Sequence, residues 1–214
     1  MRGLFRIALP ASLAVACLVQ RPPPSEPPPT SQHETMRTAH PNGETRRETR
    51  LLRRSDGHSE RDGPEREFHP GGELAAERQF THDRPSGLWR TWYPDGTPSS
   101  EVDFGEPDSD EPHASRFWHR NGRLAAEGTT VAGVREGAWS FWSESGVLLR
   151  RGSYRAGQRD GAWSFFDEAG APAAQGAYAL GARVGEWTLW DEHGEAHVRP
   201  VPEVVQPSGS AVPQ

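Results

Sequence analysis

The chain has 214 residues, 33% of them hydrophobic, and carries a formal net charge of −6. One cysteine excludes an intrachain disulfide. The acidic balance disfavours nucleic-acid backbones and anionic membrane surfaces as partners.

Arg2 and Arg6, the apolar run Ile7 to Val15 and the small residues Ala14-Val15-Ala16 follow the order of an export signal, so residues 1–16 are expected to be a signal peptide. The run is too short to cross a bilayer as an ordinary helix. Leu13-Ala14-Val15-Ala16-Cys17 resembles a bacterial lipobox, with Ala14 where Leu is commoner. The resemblance implies cleavage before Cys17, lipidation there, and a membrane anchor in the bacterial cell envelope, at the outer membrane. Cleavage of the same bond by an ordinary signal peptidase would instead give a secreted protein. Residues 17–65 contain few apolar side chains and two proline triplets, Pro22-Pro23-Pro24 and Pro27-Pro28-Pro29. Such a segment buries too little apolar area to offset its ordering entropy, so it is expected to be a disordered linker.

From about residue 66 to 198 the chain repeats. Gly72, Gly96, Gly122, Gly146, Gly170 and Gly194 recur at intervals of 24, 26, 24, 24 and 24 residues. A second glycine series, Gly137, Gly161 and Gly185, places turn signals about every 12 residues, leaving room for short strands and too little for helices. Each unit therefore reads as one β-hairpin, with turns such as Tyr93-Pro94-Asp95-Gly96. All eight tryptophans lie in the repeated phrase: Trp89, Trp92, Trp118, Trp139, Trp142, Trp163, Trp187 and Trp190. Phe166 stands in the same series, and Tyr154 and Tyr178 recur one strand later. The turn type places Trp142 opposite Leu148 and Phe141 opposite Leu149. Trp139 and Trp142 then face opposite sides of the sheet, and both faces are expected to need cover. Packing in a core accounts for these rings more economically than a ligand-stacking row. Residues 199–214 are expected to be a loose tail.

Gly152-Ser153-Tyr154-Arg155-Ala156-Gly157 and Gly176-Ala177-Tyr178-Ala179-Leu180-Gly181, with Gly-x-Trp-x-x-aromatic before each turn, resemble MORN repeats. The nearest likeness is the bacterial variant in YwqK-type antitoxin components. The resemblance implies an all-β fold, an elongated, twisted antiparallel sheet of consecutive hairpins used for protein or membrane association. Ser115 departs from the pattern where a Trp is expected, and Thr130 replaces a Tyr. The family label also implies a second role, as antitoxin of a toxin–antitoxin system, which requires cytoplasmic retention.

Catalytic signatures are lacking: no nucleophile elbow, Walker loop or dinucleotide fingerprint occurs. No cofactor, metal or small-molecule substrate is expected, and the chain reads as a non-enzyme. His193 and His197 with Glu192 and Glu195 lack a third ligand at a known metal spacing. The acidic insertion 106–113 lacks the glycine and terminal glutamate of a calcium loop. Because it interrupts a regular array, Asp108, Asp110 and Glu111 are the expected contact for a protein partner or for self-association.

Overall fold

The computed structural model describes residues 32–201. The expected signal peptide, Cys17 and the end of the tail lie outside the described residues. Fourteen strands run β1 (Gln32–Ala39), β2 (Thr45–Arg53), β3 (Ser59–Phe68), β4 (Leu74–Thr81), β5 (Arg84–Trp92), β6 (Pro98–Asp103) and β7 (His113–Trp118). They continue as β8 (Leu124–Val131), β9 (Val134–Trp142), β10 (Leu148–Arg155), β11 (Gln158–Phe166), β12 (Pro172–Ala179), β13 (Ala182–Trp190) and β14 (Ala196–Pro200). All are antiparallel in one open sheet whose spatial order is the chain order.

Two kinds of turn explain why. Along one edge run seven five-residue turns, the first at His40 and the last at Asp191. In the turn at Tyr93, the Tyr93 N–H donates to Thr97 O (2.8 Å) and the Gly96 N–H donates to Tyr93 O (2.9 Å). Gly96 takes φ 81°, which a side chain would resist. Along the other edge, β8–β9, β10–β11 and β12–β13 are joined by Ala132-Gly133, Ala156-Gly157 and Leu180-Gly181, with both central residues at positive φ. That is the two-residue hairpin turn whose twist matches the flanking strands.

One face, here called inner, holds the core. Trp139, Trp163 and Trp187 are buried, with relative exposures of 2%, 0% and 2%. No second layer covers them among the described residues. Instead each indole lies flat on the glycine of the preceding strand: Trp139 on Gly128, Trp163 on Gly152 and Trp187 on Gly176. The indole N–H of Trp163 donates to Ser153 O (3.0 Å), and that of Trp139 to Thr129 O (2.9 Å). Tyr154 stands edge-on to Trp163, and Tyr178 to Trp187, with centroids 5.2 Å apart in each pair. The Arg159 guanidinium caps Trp163 at 4.8 Å and donates to the Tyr178 hydroxyl (3.0 Å). Arg135 caps Trp139 in the same way, also at 4.8 Å. Truncating such a buried ring costs about 3–5 kcal/mol.

The strands β1 to β3 correct the expected linker: the sheet begins at Gln32, so residues 32–65 are not a tether. Burial here comes from paired polar groups, which an apolar count overlooks. Glu65 occupies the place that Trp139 holds in its own repeat. It is buried and accepts from Thr49 Oγ1 (3.1 Å) and Arg78 Nη1 (3.2 Å). Arg78 stands in the glycine's place and also reaches Glu67 (3.1 Å), which pairs with Arg47 (3.2 Å). At the other end β14 carries the sheet to Pro200, two residues beyond the expected boundary.

Registers confirm Trp142 opposite Leu148 but place Arg150, not Leu149, opposite Phe141. A bulge between Leu148 and Arg150 absorbs the difference. The expectation that both faces need cover is corrected for the inner one, whose rings are buried by lying down on backbone. Over the outer face no second layer lies among the described residues.

Candidate interaction surface

The outer face is organised in rows that cross the strands. The first row joins Phe68–Leu74, Trp92–Pro98, Trp118–Leu124, Trp142–Leu148, Phe166–Pro172 and Trp190–Ala196 as cross-strand pairs. It forms an apolar stripe in which an aromatic residue alternates with a smaller one. Every aromatic member is half-buried. Trp92, Pro98 and Trp118 bound one shallow cavity together with Arg90 and Glu101. Leu124 and Trp142 border another with Arg123, Ser145 and Gly146.

Hydrogen bonds between hairpins hold the stripe in place. The ring Nε2 of His40 bonds Phe68 O (2.9 Å), that of His69 bonds Trp92 O (3.0 Å) and that of His119 bonds Trp142 O (2.9 Å). The Tyr93 hydroxyl donates likewise to Trp118 O (2.9 Å). Each of these residues opens a five-residue turn, so the turn of one hairpin fixes the aromatic of the next. In the last three turns the opening residue folds back on its own loop. Asp191 Oδ1, for instance, accepts from His193 N and Glu195 N, both at 2.9 Å.

The second row is a ladder of alternating charge. Arg37, Glu48, Arg66, Glu77, Arg90, Glu101, Arg116 and Glu127 face one another in succession from β1 to β8. Ion pairs close at 2.7 Å (Arg37–Glu48), 3.0 Å (Arg66–Glu77) and 3.1 Å (Arg90–Glu101). Beyond Glu127 the row turns mostly neutral, through Ser140, Arg151, Ser164, Gln175 and Thr188. Exposed pairs of this kind each contribute at most about 1 kcal/mol, but they leave the row electrically balanced. Net charge therefore lies elsewhere. Residues 32–201 hold 28 Asp and Glu against 21 Arg, and the seven five-residue turns hold nine against two. The turn edge beside the aromatic stripe carries the whole excess.

The residues expected to carry function are placed as follows. Glycines 72, 96, 122, 146, 170 and 194 all sit in the five-residue turns at positive φ, and Gly137, Gly161 and Gly185 take positive φ within β9, β11 and β13. Trp89, Trp139, Trp163 and Trp187 face inward with Tyr154 and Tyr178. Trp92, Trp118, Trp142, Phe166 and Trp190 face outward. In the insertion, Asp108 is paired with Arg84, while Asp110 and Glu111 are exposed.

Two clusters combine histidine and carboxylate. Asp191, Glu195 and His197 lie within 4.8 Å of one another, as do His58, Glu60 and Asp83. Of the residues weighed from sequence, Glu195 and His197 meet, joined by Asp191, while His193 and Glu192 stay outside. Protein donors already serve these carboxylates. The side-chain bond from Arg54 holds Glu60 below the usual carboxylate range, with His82 assisting. The backbone N–H of Arg61 does the same for Asp83, and that of Glu195 for Asp191. The bond from His33 lowers Asp62. A general acid requires the opposite shift.

Fold and surface together define a protein built of consecutive hairpin repeats. The family model described as MORN repeat variant matches residues 61–82 and 135–156. These segments align Glu65 with Trp139, Arg78 with Gly152 and Phe80 with Tyr154, so one repeat frame accommodates both the ionic and the aromatic filling. No curated protein matches the chain. Among solved structures, a protein of unknown function from Bacteroides fragilis NCTC 9343, determined at 1.90 Å, aligns over 80% of this chain and 94% of its own at 9% identity. The TM-score of 0.13 gives that alignment no weight.

Proposed function

We propose that this is an exported, lipid-anchored, non-catalytic repeat protein whose sheet acts as an interaction scaffold for a protein partner. One observation carries the reading: the half-buried aromatic stripe on the outer face, tied to the neighbouring hairpin at Phe68, Trp92, Trp118 and Trp142 and without a covering layer among the described residues. A contiguous apolar stripe of this kind, rimmed by polar residues, suits an interface. The downward shifts of Glu60, Asp62, Asp83 and Asp191 favour a structural over a catalytic role for these carboxylates. Leu13 to Cys17 supports the anchor, and the arginine-led apolar run before it supports export.

The test replaces Trp142 and Trp190 by Ala and compares proteins crosslinked to the variant and to the wild type in the cell envelope. Loss of specific crosslinks with retained folding is expected; an unchanged set would remove the stripe as the platform. Labelling with a radioactive fatty acid reads the anchor separately. Label on the wild type that vanishes in Cys17→Ser is expected, whereas an unlabelled cytoplasmic protein would favour the antitoxin role.

A further inference from the structure

We infer that the occupant of the stripe is a basic, proline-rich segment of another protein, lying across β9 to β13 as a polyproline II helix. The inference rests on the scaffold reading and identifies its partner chemistry. Trp142, Phe166 and Trp190 stand on alternate strands, so their spacing is twice the strand separation, about 9.5 Å. A polyproline II helix rises about 3.1 Å per residue with three residues per turn, which repeats one ridge about every 9.3 Å. An α-helix repeats about every 5.4 Å. An extended strand returns a side chain to one face about every 6.7 Å. Only the polyproline period matches the row over two successive intervals.

The stripe's chemistry agrees with that period. Leu148 and Pro172 lie between the aromatic residues as the smaller members of the row. Proline is rigid and already extended, so it packs against such an alternating aromatic row with little loss of entropy.

Charge complementarity supplies the second requirement. The turns at 143–147, 167–171 and 191–195 contain Glu144, Asp167, Glu168, Asp191, Glu192 and Glu195, and no arginine. They line one flank of this part of the stripe. A polyproline helix with arginine at every third position presents one cationic ridge to that flank and two proline ridges to the aromatic row and solvent.

The probe is a synthetic peptide of repeated Arg-Pro-Pro triplets, with Arg-Gly-Ser triplets of equal length and charge as the control. Binding to the full chain is read by tryptophan fluorescence and by calorimetry. The Arg-Pro-Pro peptide is expected to bind at least about tenfold more tightly than the control, a difference that the Trp142→Ala/Trp190→Ala variant abolishes. Raising the ionic strength to roughly 0.5 M should weaken binding, because the acidic flank is exposed. Trp163 and Trp187 lie on the opposite face, so near-ultraviolet circular dichroism verifies the variant's fold. Equal binding of the two peptides, no binding, or binding unaffected by the double substitution would each overturn the inference. If the peptide fails while the same variant still loses its envelope crosslinks, the scaffold stands and only the polyproline identity falls.

Discussion

Replacing Gly152 by Ala tests the idea that this sheet stabilises itself by laying rings on its own backbone. A Cβ at Gly152 would come within 3.0 Å of Cδ2, Cε2 and Cγ of Trp163, the rigid body of the indole rather than a flexible tip. The ring must lift. Overpacking costs about 1–3 kcal/mol, and losing the Trp163 bond to Ser153 O adds about 1 kcal/mol. Less glycine entropy in the unfolded chain returns about 0.5–1 kcal/mol. The net loss should be about 1–3.5 kcal/mol, read from urea midpoints followed by fluorescence and circular dichroism. The fold already contains two versions of this experiment. On β7, Ser115 replaces the tryptophan, and Val102 stands opposite in place of the glycine. On β5, Trp89 faces Arg78 instead of glycine and is only half-buried, although its N–H still reaches Gln79 O (2.9 Å). In a Trp163→Ser background Gly152→Ala should therefore be neutral or stabilising, giving a coupling of about 1–4.5 kcal/mol. Equal costs in both backgrounds would refute the reasoning.

Two further outcomes follow from the turns and the ion pairs. Leu180, at φ 46° in a two-residue turn, holds a conformation that asparagine tolerates better, so Leu180→Asn should stabilise by about 0.5–1 kcal/mol, seen as a raised urea midpoint. Stability should also fall in acid. Glu60, Asp62 and Asp83 have folded pKa values below their unfolded ones, so the unfolded chain binds more protons as pH falls. Their contribution is complete above about pH 5.5, begins to fall near the unfolded pKa and drains away as pH drops through the lowered values. Urea midpoints measured between pH 5 and 3 should show this decline, and a Glu60→Gln variant should show a shallower one.

What the sequence made legible was whatever a single residue type dictates. Turn glycines announced the hairpins because positive φ leaves few alternatives, and aromatic–aliphatic pairs such as Trp142–Leu148 followed from the turn type. Strands β1 to β3 escaped notice because Thr49, Glu60 and Glu65 are buried by hydrogen bonds, and polarity alone does not distinguish such residues from a solvated linker. The bulge before Arg150 was invisible, since it depends on backbone twist rather than composition. Two signals were present and unread. Gly128 to Trp139, Gly152 to Trp163 and Gly176 to Trp187 are each separated by 11 residues, the spacing that brings a ring onto its glycine. Arg66, Glu77, Arg90 and Glu101 recur at alternating steps of 11 and 13, the spacing of the charge ladder.

The manner in which the inner face is buried explains why the outer one is free to bind. A sheet normally hides its apolar side under a second layer, and that layer dictates the topology. Here glycine removes the obstacle beneath each ring, and an arginine such as Arg159 supplies the lid from the same repeat. Every hairpin thus needs only its neighbours, in keeping with the nearest-neighbour stability of repeat arrays. The outer aromatics take no part in that arrangement, because they point away from the inner rings, and Phe68, Trp92, Trp118 and Trp142 are tied to adjacent turns through their carbonyls rather than their rings. Replacing Trp142 or Trp190 should therefore spare the core, whereas replacing Trp163 should not. The two tryptophans of each phrase have separable tasks: the first stabilises the sheet, and the second gives it a surface.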